Sequence, residues 1–255
     1  MKIIFGIPLR SEKTSADWNT VCDCLKETVV SIKNSLVPEG YTVNVLIAGH
    51  EKPKFLLEGS FDSVTFIESN SEIPTSSEYF MKDKGTKKHI VAKYTDDLLA
   101  KGEKALFMFI DADDLINKYF IFNVVRDFSA KRIDDIAFMR GYVFNYSNKE
   151  IGFCNGEKNI FYQRCGSCYI SKIEGGKAYE YLSKLNNHSK FPLISESLGR
   201  IVEYSNYPGV AYIVNHGAND VNQRRGEASI TNLLNRTITN NIVHKYYIED
   251  FGIKL

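Results

Sequence analysis

The chain has 255 residues, a formal net charge of +1 and 44% apolar residues, so it holds enough apolar material for a sizeable core. The near-neutral balance gives no general attraction to nucleic acid, no run of about 18 apolar residues marks a membrane span, and the N-terminus is too short for a secretory leader. Five cysteines, an odd number, fit reduced thiols in a cytoplasmic protein better than a disulfide framework.

Residues 3–7 form an apolar run closed by Pro8, the first buried strand. Ser15 or Asp17 caps a helix whose apolar residues recur at Trp18, Val21, Cys22, Leu25, Val29, Ile32 and Leu36, with Pro38-Glu39-Gly40 ending it. Residues 43–48 and 64–67 read as the second and third strands, and 69–74 as a loop. Helical spacing resumes near Lys87 and runs to about Ala100, followed by a fourth strand over 106–110. Strand and helix alternate through this half, which predicts a parallel sheet flanked by helices in an α/β protein.

The second half is less regular. Residues 136–139 and 141–146 are strand-like, and 151–162 reads as a strand pair turning at Asn155-Gly156. Helices are expected over 176–185 and 195–202, a last short strand over 212–214, and a helical tail from Ser229. With no linker or repeat, one domain with two functional halves (1–115 and 116–228) and a tail (229–255) is expected. Cys165-Gly166-Ser167-Cys168 has redox or zinc spacing, but its strand-like flanks and the lack of a matching second pair favour structural thiols.

The most informative stretch is Phe107-Met108-Phe109-Ile110-Asp111-Ala112-Asp113-Asp114, a buried-strand pattern that breaks into carboxylates. Strand-end acids one residue apart suit a divalent cation, which in turn neutralises a diphosphate; Asp is also common wherever a strand enters a turn. Upstream stand Gly85-Thr86-Lys87-Lys88-His89-Ile90-Val91-Ala92-Lys93-Tyr94 and Leu98-Leu99-Ala100-Lys101-Gly102-Glu103. Together these blocks resemble the nucleotide-sugar-dependent glycosyltransferases of the GT-A fold, most closely glycosyltransferase family 2 and its bacterial polysaccharide relatives, with Lys93-Tyr94 where that family has Arg-Asn.

The resemblance implies a GT-A-like, Rossmann-type fold and a transferase moving a sugar from a nucleotide-sugar, UDP-linked, to a glycan or lipid-linked acceptor. It implies Mn²⁺ or Mg²⁺ held by Asp113, with Asp111 at the ribose or sugar or reaching the metal through water, and Ala112 between them against the donor. Asp114 is either a third member or a cap of the next helix. A late histidine completes the metal shell in many such enzymes, and Asn215-His216-Gly217 places His216 there; a loop histidine with no ligand is the other reading. Pro8 and Arg10 would line the base and ribose, and Glu51 matches the family's acid after the second strand. Lys87, Lys88 and Lys93 form a basic side toward the diphosphate, helped by a helix start; Lys88 and Lys93, five apart, cannot both face it. Arg224 belongs either to a lid over the diphosphate or to a plain basic loop.

The family's catalytic base is an Asp in a Glu-Asp pair at a late helix start. Here only Glu196 in Ile194-Ser195-Glu196-Ser197 stands near that place, either as the base of an inverting reaction or as a first-turn residue of a helix. The missing pair keeps open a non-catalytic nucleotide- or carbohydrate-binding module. His188 is a further candidate near the acceptor; a surface loop histidine is the other reading. A phosphatase of the haloacid-dehalogenase type and a nucleotidylyltransferase fit less well, because the acids lie mid-chain and the first strand is followed by no glycine-rich loop. The tail's apolar stripe (Leu233, Leu234, Ile238, Ile242, Val243, Tyr246) suits packing on the body, an oligomer contact or a peripheral membrane surface.

Overall fold

The computed structural model describes residues 1–58, 61–217, 227–237 and 242–253. The elements run β1 (Lys2–Pro8), α1 (Trp18–Lys33), β2 (Thr42–Gly49), α2 (Phe55–Glu58), β3 (Val64–Glu68), α3 (Phe80–Leu98), β4 (Lys104–Phe109), β5 (Leu115–Ile116) and α4 (Phe120–Ala130). Then follow β6 (Asp135–Phe138), β7 (Gly141–Asn145), β8 (Ile151–Cys154), β9 (Tyr169–Glu174), α5 (Ala178–Leu182), α6 (Phe191–Ser197), β10 (Val202–Ser205), β11 (Val210–Val214), α7 (Glu227–Thr237) and α8 (Ile242–Glu249).

Seven strands form the central sheet in the order β10-β6-β9-β4-β1-β2-β3, and β5-β11-β7-β8 form a second sheet. In the large sheet β9 alone runs antiparallel to its neighbours, β4 and β6. The strands β1, β2 and β4 are continuous apolar runs because helices cover both faces, and Ile4, Phe5, Val45, Ile47, Leu106 and Met108 are all essentially unexposed. Onto them pack Leu25 and Val29 of α1, Val91 and Ala92 of α3, and Phe120 and Val124 of α4. The fold is the mixed α/β, mostly parallel architecture expected from the sequence.

Asp17 is the N-cap of α1, accepting from the backbone N–H groups of Asn19 (3.0 Å) and Thr20 (3.3 Å). Several expected boundaries move. Helix α3 starts at Phe80, seven residues before Lys87; after Phe80 and Met81 its opening turns are polar and carry no apolar rhythm, which hides the start. Residues 151–162 are not a hairpin: β8 pairs with β7, the turn lies at 146–150, and Phe161 begins a short 3₁₀ turn. The late helix is Phe191–Ser197, with Pro192 in its first turn, and Gly199 in the left-handed region (φ 73°) stops it; residues 202–205 are strand β10. Glu196 therefore sits in the last turn of α6, not the first.

The tail is two helices. Leu234 and Thr237 of α7 and Ile248 of α8 are buried, and Ile248 joins Phe251, Leu115, Tyr142 and Phe144 in a second apolar cluster. Ile238, and the side chains of Ile242, Val243 and Tyr246, lie outside the described residues. No described helix is long and apolar enough to cross a membrane.

Candidate functional site at the strand ends

Parallel pairing fixes where the site must lie. Strands β1, β2, β3 and β4 all end at one edge of the sheet, where open α/β sheets bind ligands. Because β9 runs the other way, its start delivers the 165–168 turn to that same edge. Because β11 pairs antiparallel with β5 (Ala211 opposite Leu115), its end delivers His216 beside the acids that precede β5.

The three aspartates are held in three ways. Asp111 Oδ1 lies 2.7 Å from the Lys84 ammonium. Burial alone would raise its carboxyl, but Lys84 and Lys88 outweigh that and hold it below the usual carboxylate range. Asp113 Oδ2 lies 2.9 Å from Nε2 of His216. Asp114 is fully buried and accepts from the Ser167 hydroxyl (2.5 Å), the Cys165 thiol (3.2 Å) and the Ile213 N–H (3.3 Å). Burial pushes Asp114 well above the usual range, and the charges of Asp113 and Asp111 push it further. It does not cap the following helix: α4 has Tyr119 at its N-cap with no side-chain hydrogen bond there.

Ser167 links the set, since its hydroxyl accepts from the Asp111 N–H (2.8 Å) while donating to Asp114. Gly166 makes the approach possible: a Cβ there would stand 2.5 Å from Asp111 Oδ2. The thiols of Cys165 and Cys168 are free and fully buried, and burial pushes both up, as structural thiols require.

The basic side is built by α3. Lys84 and Lys88, four apart, share a face. Lys88 is 5% exposed, and its ammonium lies between the rings of Phe109 (4.9 Å) and Phe191 (5.3 Å). Among the described residues no carboxylate oxygen is within 4.0 Å of it, and burial, with repulsion from Lys84, brings it down to about 8. Lys87 is buried in a 2.6 Å pair with Asp83, and Lys93 is exposed on the outer face of the helix. Both lysines stand at mid-helix, so the expected contribution of a helix start to phosphate binding does not apply to them.

Around the other strand ends, Pro8 is buried and Arg10 lies over the Phe80 ring at 4.8 Å. Glu51 accepts from the Ser11 hydroxyl (3.0 Å) and the Glu12 N–H (2.9 Å), bracing the 11–14 turn. His50 Nδ1 and Asp83 Oδ1 are buried without a hydrogen-bond partner among the described residues. Next to them a cleft of about 480 Å³ is lined by Ser71, Glu72, Tyr79, Lys82 and Asp83. Glu196 is exposed on α6 and accepts from the Tyr204 hydroxyl at 2.8 Å, near the end of β10. Arg224 lies outside the described residues.

Of the residues expected from the sequence, Asp111, Asp113, His216 and Lys88 stand at this edge; Lys84 and Ser167 join them, and His50 and Asp83 border the neighbouring cleft, without having been expected. Lys84 carried a signal, its i, i+4 spacing to Lys88; the others are brought in by strand order. Among the described residues no three His, Cys, Asp or Glu side chains converge as a metal-binding group. The donors that fit a hard or borderline cation are a pair, Asp113 and His216, which leaves most of the coordination shell to ligand oxygens and water.

No protein-family model matches the chain, and no curated protein matches it. Solved structures do. The chain is similar to residues 1–349 of the Staphylococcus aureus glycosyltransferase TarS in complex with UDP (13% identity, TM-score 0.50) and in complex with UDP-GlcNAc (14%, 0.50). It is also similar to a longer TarS structure (14%, 0.51). In each case 84% of this chain is covered, but only 61%, 59% and 37% of the respective TarS chains. The chain therefore spans less than two thirds of these neighbours. At such identity the likeness is one of fold.

Proposed function

We propose that this chain is a metal-dependent, inverting glycosyltransferase, carrying a sugar from a nucleoside-diphosphate sugar to a hydroxyl of a glycan or lipid-linked acceptor of bacterial surface polysaccharide. The observation that carries the reading is the Asp113–His216 donor pair standing at the same strand ends as a buried ammonium, Lys88, with no carboxylate oxygen within 4.0 Å among the described residues. Asp111 attracts this cation only from beyond ion-pair distance, so its burial stays costly, and a diphosphate supplies a direct counterion. The fold shared with TarS, whose structures hold UDP and UDP-GlcNAc, supports uridine as the nucleoside.

In this reading Asp113 and His216 hold Mn²⁺ or Mg²⁺. When bound, such a cation supplies charge neutralisation on the leaving diphosphate. Lys88 faces the phosphates, and Asp111, positioned by Lys84 and Ser167, receives the ribose or sugar hydroxyls with Ala112 beside it. Pro8, Arg10 and Glu51 border the base and ribose, and the cleft beside His50 and Asp83 takes the base itself. The engaged, outward Glu196 favours one alternative, a binding module that does not turn over.

Titration calorimetry with UDP, with and without Mn²⁺, and UDP release from UDP-GlcNAc test the reading. The expected result is Mn²⁺-dependent UDP binding with slow donor hydrolysis. Asp113→Ala is expected to abolish hydrolysis and weaken UDP binding in Mn²⁺ at least about 10-fold, the scale of a lost metal ligand, with the melting temperature kept. Tight binding with no turnover selects the module, and wild-type activity in Asp113→Ala removes the mechanism.

A further inference from the structure

The proposed reaction needs a base for the acceptor hydroxyl, and Glu196, in the last turn of α6, is already engaged by the Tyr204 hydroxyl. Another group is arranged for the task. His188 opens the short 3₁₀ turn His188–Lys190 that leads directly into α6. Asn187 holds this turn, accepting from the Ser189 N–H (3.2 Å) and hydroxyl (2.9 Å). Nδ1 of His188 lies 2.7 Å from the Tyr162 carbonyl oxygen. A carbonyl only accepts, so Nδ1 carries the hydrogen and Nε2 keeps its lone pair. The anchoring residue, Tyr162, belongs to the 161–168 segment that also carries Gly166 and Ser167 to Asp111, so one turn positions both the imidazole and the acid.

We propose that Nε2 of His188 is the base that receives the acceptor's hydroxyl proton. In the step, the O–H bond of the acceptor breaks and its proton goes to Nε2. The freed oxygen pair forms the new bond to the anomeric carbon. The bond from that carbon to the diphosphate oxygen breaks, and its electron pair leaves with the nucleoside diphosphate. The assignment rests on the glycosyltransferase reading above. Its electrostatics suit the role. Burial lowers the basicity of His188, and Lys84 and Lys88 lower it further, while the Tyr162 carbonyl and Asp111 oppose them. The ring is thus a neutral base at neutral pH, and turnover should fall as pH drops through that lowered value.

The test is UDP release from UDP-GlcNAc and Mn²⁺ with water as acceptor, followed against pH, beside calorimetric UDP binding. His188→Ala is expected to lose at least about 100-fold in kcat, the lower end of general-base contributions. Its UDP affinity should stay within about threefold, and added imidazole should restore part of kcat, which a merely structural histidine would not allow. The acid limb of the wild-type profile should vanish in the variant. Independently of any variant's folding, ¹⁵N resonances of the wild-type imidazole should report the Nδ1–H tautomer at pH 7. Wild-type kcat in His188→Ala, equal loss of kcat and UDP binding without imidazole rescue, or an Nε2–H tautomer each overturn the assignment. Failure of the wild-type protein to bind UDP overturns the underlying reading instead, and does so without reference to His188.

Discussion

Three carboxylates within four residues cannot all be ionised cheaply in one apolar pocket, and the chain separates them by what it sets opposite each. Asp111 meets Lys84, Asp113 meets His216, and Asp114 is sealed under Ser167 and Cys165. Ser167→Ala should therefore matter beyond its size. It leaves the Asp111 N–H and Asp114 each short of a partner and should lower stability by about 1–3 kcal/mol, read from urea unfolding. Gly166→Ala should leave stability nearly intact and reduce turnover, because the new methyl has to displace the Asp111 carboxylate. Lys88 gives a pH signature. Its lowered value means that the free protein loses this cation as pH rises through about 8, so UDP affinity should weaken above that point. Calorimetry across pH 7–10 checks this, and the dependence should flatten in Lys88→Gln. Asp111, Asp113, Lys88 and His216 were expected because the family resemblance, carried by the 85–114 blocks and the late Asn215-His216-Gly217, marks them. Ser167 was not recognisable, since only the antiparallel strand β9 brings it to the acids; His188 stood as an acceptor-side candidate, but its anchoring on Tyr162 depends on the turn before α6.

At the level of elements, the first half was readable because a parallel strand buried on both faces must be an unbroken apolar run, and β1, β2 and β4 are such runs. Helix α3 shows the limit. Its opening turns, with Lys82, Asp83 and Lys84, lack apolar rhythm, so spacing placed its start too late and hid Lys84. For α6 the punctuation was present but misjudged: Pro192 marks its beginning, and Gly199, at φ 73°, its end. Gly199→Ala should cost about 1 kcal/mol of stability from the left-handed backbone alone, since nothing crowds the site. Because that turn carries Arg200, the same change should also loosen α6 relative to the sheet, visible as faster amide exchange over 191–198. The Asn155-Gly156 pair illustrates a turn signal without a hairpin: β8 had already found its partner in β7 on the other side.

At the scale of the whole molecule, one polar network binds the late elements together. The Arg200 guanidinium pairs with fully buried Asp135 through Nε (2.7 Å) and a second nitrogen (2.9 Å), and it stacks 4.0 Å from the Tyr181 ring. The Tyr181 hydroxyl donates to Asp135 as well. Arg200→Ala strands that carboxylate and should destabilise the protein by roughly 3–5 kcal/mol in denaturant unfolding. UDP with Mn²⁺ at about 100 times its dissociation constant should add about 2.7 kcal/mol, seen as a rise in melting temperature. The place of β9 has a consequence for how the protein comes into being. It wedges between β4 and β6, so β4 has no neighbour on that side until residue 169 has left the ribosome. A nascent chain stopped near residue 150 presents Ala105 to Met108 as a bare, sticky rim. Such a fragment should self-associate rather than fold, and synthesis of this protein should draw on chaperones until its last third emerges.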